Sequence, residues 1–257
     1  MPELRLHSPH GTATLHTLGA TVLSWIPTGQ TDVLWVSPTA HFRVGKAIRG
    51  GIPVCWPWFA SDPAHPGGPS HGLVRAAEWD VQSATDTEAI LTIHHKGPQF
   101  PEFRLTLTVR LGRTLSLLLT HQNLSEQQVD CTGALHSYFR AKSATARVVG
   151  LGAAPAFDKL TGQSVVLDGP VRFGAKIDRV IASDALAVLD DGGRQVEIHR
   201  TDAPDVVCWN PNTDRPGDVP VGGEADFVCV EAAAVSQPWT VPAMSQRTLE
   251  CELRVRE

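Results

Sequence analysis

The chain has 257 residues, 42% hydrophobic and 19% charged, with a net charge of −5, the make-up of an ordinary soluble globular protein. Its basic residues are scattered, which excludes the broad cationic footprint of a nucleic-acid binder, and no stretch nears the roughly 18 uninterrupted apolar residues of a membrane-spanning helix. The five cysteines, Cys55, Cys131, Cys208, Cys229 and Cys251, are odd in number and lack any CxxC pair, so neither a disulfide framework nor a zinc knuckle is expected.

Read in chain order, the hydrophobic pattern repeats every two residues far more often than every 3.6. Glu3 to Thr17 and Thr21 to Trp25 read as strands, followed by Ala89 to His94. Arg104 to Arg110 (RLTLTVR) alternates polar with apolar, Gly112-Arg113 supplies a two-residue turn, and Thr114 to Thr120 (TLSLLLT) returns as a hairpin partner. Gln195 to His199, Asp205 to Asn210, Phe227 to Glu231 and Arg247 to Arg256 complete the series. Many short strands and no long amphipathic helix imply an all-β sandwich or barrel. No linker or charge run divides the chain, so residues 1–257 are expected to form a single domain. The N-terminus lacks a basic stretch followed by an apolar run, and the expected location is cytoplasmic.

Four segments can carry chemistry. Arg49 to Arg75 has no strand or helix period and combines two arginines with Trp56, Trp58, Phe59 and His71. Aromatic faces beside guanidinium groups suit a sugar bearing a negative group, the ring stacking while Arg pairs with phosphate or carboxylate. Gly50-Gly51 would let the backbone approach such a ligand closely. Leu135 to Phe139 sets His136 in an apolar, strand-like context, where a satisfied interior histidine is the commoner outcome. Asp205 to Pro211 delivers Trp209 and Asn210 to a strand end, with plain core packing as the alternative. Phe227 to Ala232 carries Glu231, which faces solvent or, if buried, needs a partner. Metal ligation is disfavoured, because His94 and His95 are adjacent on a strand and point to opposite faces. No Rossmann glycine fingerprint or P-loop is present, and no cofactor is expected.

Together these pieces resemble the hexose-6-phosphate mutarotase branch of the aldose 1-epimerase superfamily. The matching motifs are IRGGIPVCWPWF, HGLVR, ALHSYF, KIDRV, DVVCWNP and FVCVE, in the family's order across residues 48–231. The resemblance implies a galactose-mutarotase-like β-supersandwich, and an isomerase with His136 as general acid and Glu231 as general base. It also implies substrate contacts from Arg49, Ser70, His71, Arg75 and Asp178, the two arginines meeting the phosphate. The expected partner is a small sugar phosphate, and the working unit a monomer. An upward shift of about one unit in the His136 pKa, caused by Glu231, would keep the acid charged at neutral pH. Ser70, Leu73, Ile181, Asn212 and Ala232-Ala233 depart from the family pattern and bear on sugar identity. The alternatives are an epimerase of unphosphorylated sugars and a non-catalytic sugar-binding or sensing protein on the same scaffold.

Overall fold

The structure is a computed structural model that describes residues 2–61 and 66–256. Strands dominate, and the one helical segment among the described residues is the 3-10 turn Gly223–Asp226. The strands form two large antiparallel sheets and a three-stranded meander, Glu3–Ser8, Gly11–His16 and Thr21–Pro27. The stretch read as one strand from Glu3 to Thr17 is therefore a hairpin, broken where Pro9-His10 cannot continue the ladder.

One sheet is built around the long hairpin Phe100–Leu111 and Leu115–Asn123, whose alternation sends every second residue inward. Leu105, Leu107 and Val109 meet Leu115, Leu117 and Leu119 on the buried face, joined by Leu249, Cys251 and Leu253 from Gln246–Val255. The connecting loop holds three residues, Gly112 to Thr114, rather than two, because Leu111 pairs with Leu115.

The second sheet runs in the spatial order Gln163–Val166, Pro155–Asp158, Ile177–Ala182, Asp205–Asn210, Phe227–Val241, Val129–Leu135, Val54–Cys55. Its central strand is buried on both faces from Phe227 to Ala234, which explains an apolar run where strict alternation would be expected. Val228, Val230, Ala232 and Ala234 pack into the core between the sheets, with Val206, Cys208 and Leu135. The opposite face carries Cys229, Glu231 and Ala233 under a cover of loops, where Trp35, Tyr138 and Phe227 form a satellite aromatic cluster.

The Arg49 to Arg75 segment is the main cover. Isolated bridges tie it to the rest of the chain at Val36 to Gly50 and Val22 to Ile52, and Trp56 to Gly72 ties the segment to itself. Gly50 and Gly51 serve these crossings and not a ligand: a Cβ at Gly50 would lie 2.4 Å from the Trp35 carbonyl oxygen, and one at Gly51 2.2 Å from that of Val22. All five cysteines are buried and unbridged.

Candidate active site

The covered sheet face holds a cavity of about 400 Å³, and all seven residues singled out from sequence line it: Arg49, Ser70, His71, Arg75, His136, Asp178 and Glu231. Strand register explains the convergence. Leu135 pairs with Ala232 and Tyr138 with Cys229, so the unladdered His136 stands opposite Glu231. Glu231 also faces Val207 on its other neighbour, and Trp209 faces Asp178 one strand further on. Period-two geometry therefore points all these side chains into the same space.

His136 Nδ1 lies 3.3 Å from Glu231 Oε1 at the floor of the cavity, with side-chain exposures of 6% and 1%. The two are in contact without the alignment of a hydrogen bond: His136 Nδ1 and both Glu231 carboxyl oxygens are buried with no hydrogen-bond partner among the described residues. The imidazole stacks on Tyr138 at 4.7 Å between centroids and meets the edges of His71 and Trp209. Burial pushes the Glu231 carboxyl well above the carboxylate range, opposed chiefly by Arg75. The same burial, reinforced by Arg75, His71 and Arg49, holds the His136 imidazole well below its ordinary value. This reverses the expected upward shift, because the loss of solvent around the ring outweighs the nearby carboxyl. Both shifts favour the carboxyl over the imidazole as the seat of a proton shared by the pair.

His71 is neutral as well, its pKa driven down to about 2 by burial and then by Arg75, Lys159 and Arg49. Its Nδ1 accepts the Ala60 N–H at 3.3 Å, which leaves the proton on Nε2 as a donor. The ring is held in place by a left-handed backbone at His71 (φ 67°) and by Gly72, where a Cβ would fall 2.0 Å from the Trp56 carbonyl oxygen. Ser70 is exposed at the rim.

Arg49 donates from Nε to Asp218 at 2.9 Å and from Nη1 to the Tyr138 hydroxyl at 2.9 Å. Arg75 is 5% exposed; its Nη1 contacts Cys55 Sγ at 3.8 Å, while Nε and Nη2 have no partner among the described residues. Asp178 pairs with Lys159 at 3.2 Å and not with its neighbour Arg179, which is engaged by Asp158 at 2.9 Å.

Two expectations about aromatic faces are corrected. Trp56 and Trp58 are 0% and 2% exposed and belong to the core, Trp56 donating to His121 Nδ1 and Trp58 to the Pro69 carbonyl. Phe59, the third aromatic residue of that segment, does line the cavity, and Trp209 from Asp205–Asn210 supplies the other aromatic wall. Lys159 is a lining residue that sequence reading missed; it sits in the turn between Pro155–Asp158 and Gln163–Val166 and carries no motif of its own.

A concave sheet face carrying an interior carboxyl and imidazole in contact, surrounded by sugar-compatible donors, defines a proton-transfer site for a hydroxylated ring. A profile of the aldose 1-epimerase family matches residues 2–253. The chain belongs to that family, and its activity is the interconversion of sugar anomers. It is 34% identical over 264 residues to an Escherichia coli protein described as "Putative glucose-6-phosphate 1-epimerase", covering 96% of this chain and 88% of that one. A Salmonella typhimurium protein with the same description is 33% identical over 247 residues, covering 90% and 82%. Among solved structures, a Salmonella typhimurium "putative mutarotase" superposes with TM-score 0.88 at 30% identity, over 99% of this chain and 90% of that one. A galactose mutarotase related enzyme from Lactobacillus acidophilus matches the fold with TM-score 0.81 at 12% identity, over 100% and 98%. The fold is the galactose-mutarotase-like β-sandwich.

Proposed function

We propose that the chain interconverts the α and β anomers of a hexose 6-phosphate, glucose 6-phosphate foremost, with His136 and Glu231 exchanging one proton with the sugar at each step. The observation that carries this reading is the contact at 3.3 Å between two interior titratable groups that have no hydrogen-bond partner among the described residues. Unpaired interior polar atoms are destabilising, and a ligand offering a hydroxyl and a ring oxygen would satisfy them.

The proton balance closes without solvent. In the ring-closed complex, ionised Glu231 takes the proton of the C1 hydroxyl while protonated His136 delivers one to the ring oxygen, and the C1–O5 bond breaks to give the aldehyde. Glu231 then carries the proton and His136 is neutral, the distribution that burial favours. Rotation about C1–C2 and the reverse transfers close the ring to the other anomer. Substrate binding assists the first step in two ways: the C1 hydroxyl hydrogen-bonds the carboxylate form, and the phosphate offsets the positive field of Arg75 and Arg49 on the imidazole. His71 donates its Nε2–H to a sugar oxygen, Asp178 accepts from a ring hydroxyl, and Ser70 contacts the substrate at the rim.

Three features support the phosphorylated substrate. Arg49, Arg75 and Lys159 all line the cavity. The relatives above are described by their action on glucose 6-phosphate. These three cationic side chains outnumber the two carboxyls lining the cavity, Asp178 and Glu231. The proposed working unit is a monomer with residues 1–257 as a single domain, and the buried free thiols suit the proposed cytoplasmic location. Replacing Arg49 with Ala tests the assignment. It should lower kcat/KM for glucose 6-phosphate about 10- to 100-fold more than for glucose, since one charge-assisted bond is worth about 1.5–3 kcal/mol and only the phosphosugar makes it. Equal losses for the two sugars would instead favour an epimerase of free sugars.

A further inference from the structure

Arg49 and Arg75 alone do not provide a dianionic phosphate with two free cations. Arg49 is already balanced by Asp218 through a 2.9 Å contact, and a second donor of its guanidinium is engaged by Tyr138. Arg75 is 5% exposed, and its uncommitted Nε and Nη2 lie beneath the surface. The third cation lining the cavity has a different character. Lys159 follows the strand Pro155–Asp158 in a turn whose backbone is firmly held: its N–H donates to the Asp178 carbonyl at 2.8 Å, and Asp158 Oδ1 accepts from Leu160 and Thr161. The anchored backbone supports a flexible stem. The ammonium group passes over the Phe59 ring at 5.4 Å and ends 3.2 Å from Asp178 Oδ2, with side-chain exposures of 31% and 22%. Phe59 in turn meets His71 edge-on at 5.0 Å, and His71 meets His136 at 5.7 Å, so Lys159 stands on the same continuous wall as the acid–base pair.

We infer that Lys159 is a substrate-specificity residue that exchanges partners on binding: its ammonium leaves Asp178 for the substrate phosphate, and the released Asp178 carboxylate accepts a sugar hydroxyl. This rests on the phosphosugar reading above and deepens it. An ion pair this open to solvent contributes little to stability, so breaking it is inexpensive, whereas a phosphate presents a denser charge to the same ammonium. The exchange also explains how one residue can be paired in the empty cavity and still serve a neutral hydroxyl in the complex. All three cations act on the His71 imidazole, consistent with their surrounding one region of the cavity.

The test compares wild type, Lys159→Gln and Lys159→Arg in kcat/KM for glucose 6-phosphate and for glucose. It adds the Kd for 1,5-anhydroglucitol 6-phosphate, which keeps the phosphate but lacks the anomeric hydroxyl and cannot react. Lys159→Gln should lower the phosphosugar-to-glucose ratio of kcat/KM about 10- to 100-fold and weaken the unreactive phosphate by a similar factor. Lys159→Arg should recover most of both. A wild-type ratio near one would overturn the phosphosugar reading, and this inference with it. A wild-type preference for the phosphosugar that survives Lys159→Gln unchanged would overturn the role of Lys159 alone. So would an equal loss on both sugars that Arg fails to rescue, because that marks a merely structural side chain.

Discussion

Glu231→Gln separates the chemistry of the interior carboxyl from its effect on the fold. Burial raises the folded-state pKa of Glu231 well above the ordinary value of 4.5, so above pH 4.5 the folded protein keeps a proton that the unfolded chain releases. Stability then falls as pH rises, by about 1.4 kcal/mol per unit, until the folded pKa is passed. His136 has the opposite sign: its pKa is lowered from 6.5, so its contribution is complete above pH 6.5 and is lost as pH falls below it. Below pH 6.5 the two slopes oppose each other, and above it the Glu231 slope stands alone. Gln removes that slope while filling nearly the same volume. From pH 6 to pH 8 the stability gap should therefore move in favour of Glu231→Gln by up to about 2.7 kcal/mol, or roughly 5 °C in Tm for a chain of this size. Turnover should fall about 10²- to 10⁴-fold at the same time. Thermal melts of both proteins across this range, paired with an anomer-exchange assay, supply the readout. A gap that stays constant from pH 6 to pH 8 would show the carboxyl already ionised in the empty cavity and refute the account of its burial.

The pH profile of kcat/KM follows from the same pair. With glucose, which lacks a phosphate ionisation near pH 6, the acid limb should fall below pH 6.5, where His136 takes up a second proton; a limb centred at or above 6.5 would contradict the downward shift. His121 is fully buried, accepts the Trp56 indole N–H at 2.9 Å, and has its pKa lowered to about 4 by burial. Its stabilising contribution is complete above pH 6.5 and is lost as pH falls towards 4, so His121→Phe should lose less stability than wild type between pH 6.5 and 4.5, by roughly 2 kcal/mol. Parallel losses in denaturant melts would show that the imidazole is not held neutral.

Much of the fold was legible because its signal is local. The alternation in Arg104 to Arg110 and Thr114 to Thr120 describes a strand pair buried on one face, and the structure places them as partners. The motifs also brought the site together: all seven residues they named line one cavity. What stayed hidden depends on register and burial, which no short window encodes. Trp56 and Trp58 read as sugar platforms because their loop is irregular, yet Trp56 is enclosed between His121 and Trp239. Gly50 and Gly51 suggested ligand access, whereas their missing side chains admit the carbonyls of Trp35 and Val22. The ionisation of His136 was read with the wrong sign, since a carboxylate neighbour can be guessed from sequence but the depth of burial cannot. Lys159 carried no motif and joined the cavity only through the pairing of Pro155–Asp158 with Ile177–Ala182.

Two-dimensional exchange NMR on the anomeric protons of equilibrated glucose 6-phosphate tests the central claim most directly. Catalytic amounts of wild type should raise the α–β exchange rate well above the spontaneous one, while folded His136→Ala and Glu231→Gln should return it to near the no-enzyme value. Full exchange with either variant, or a spontaneous rate with wild type, would contradict the role given to the pair.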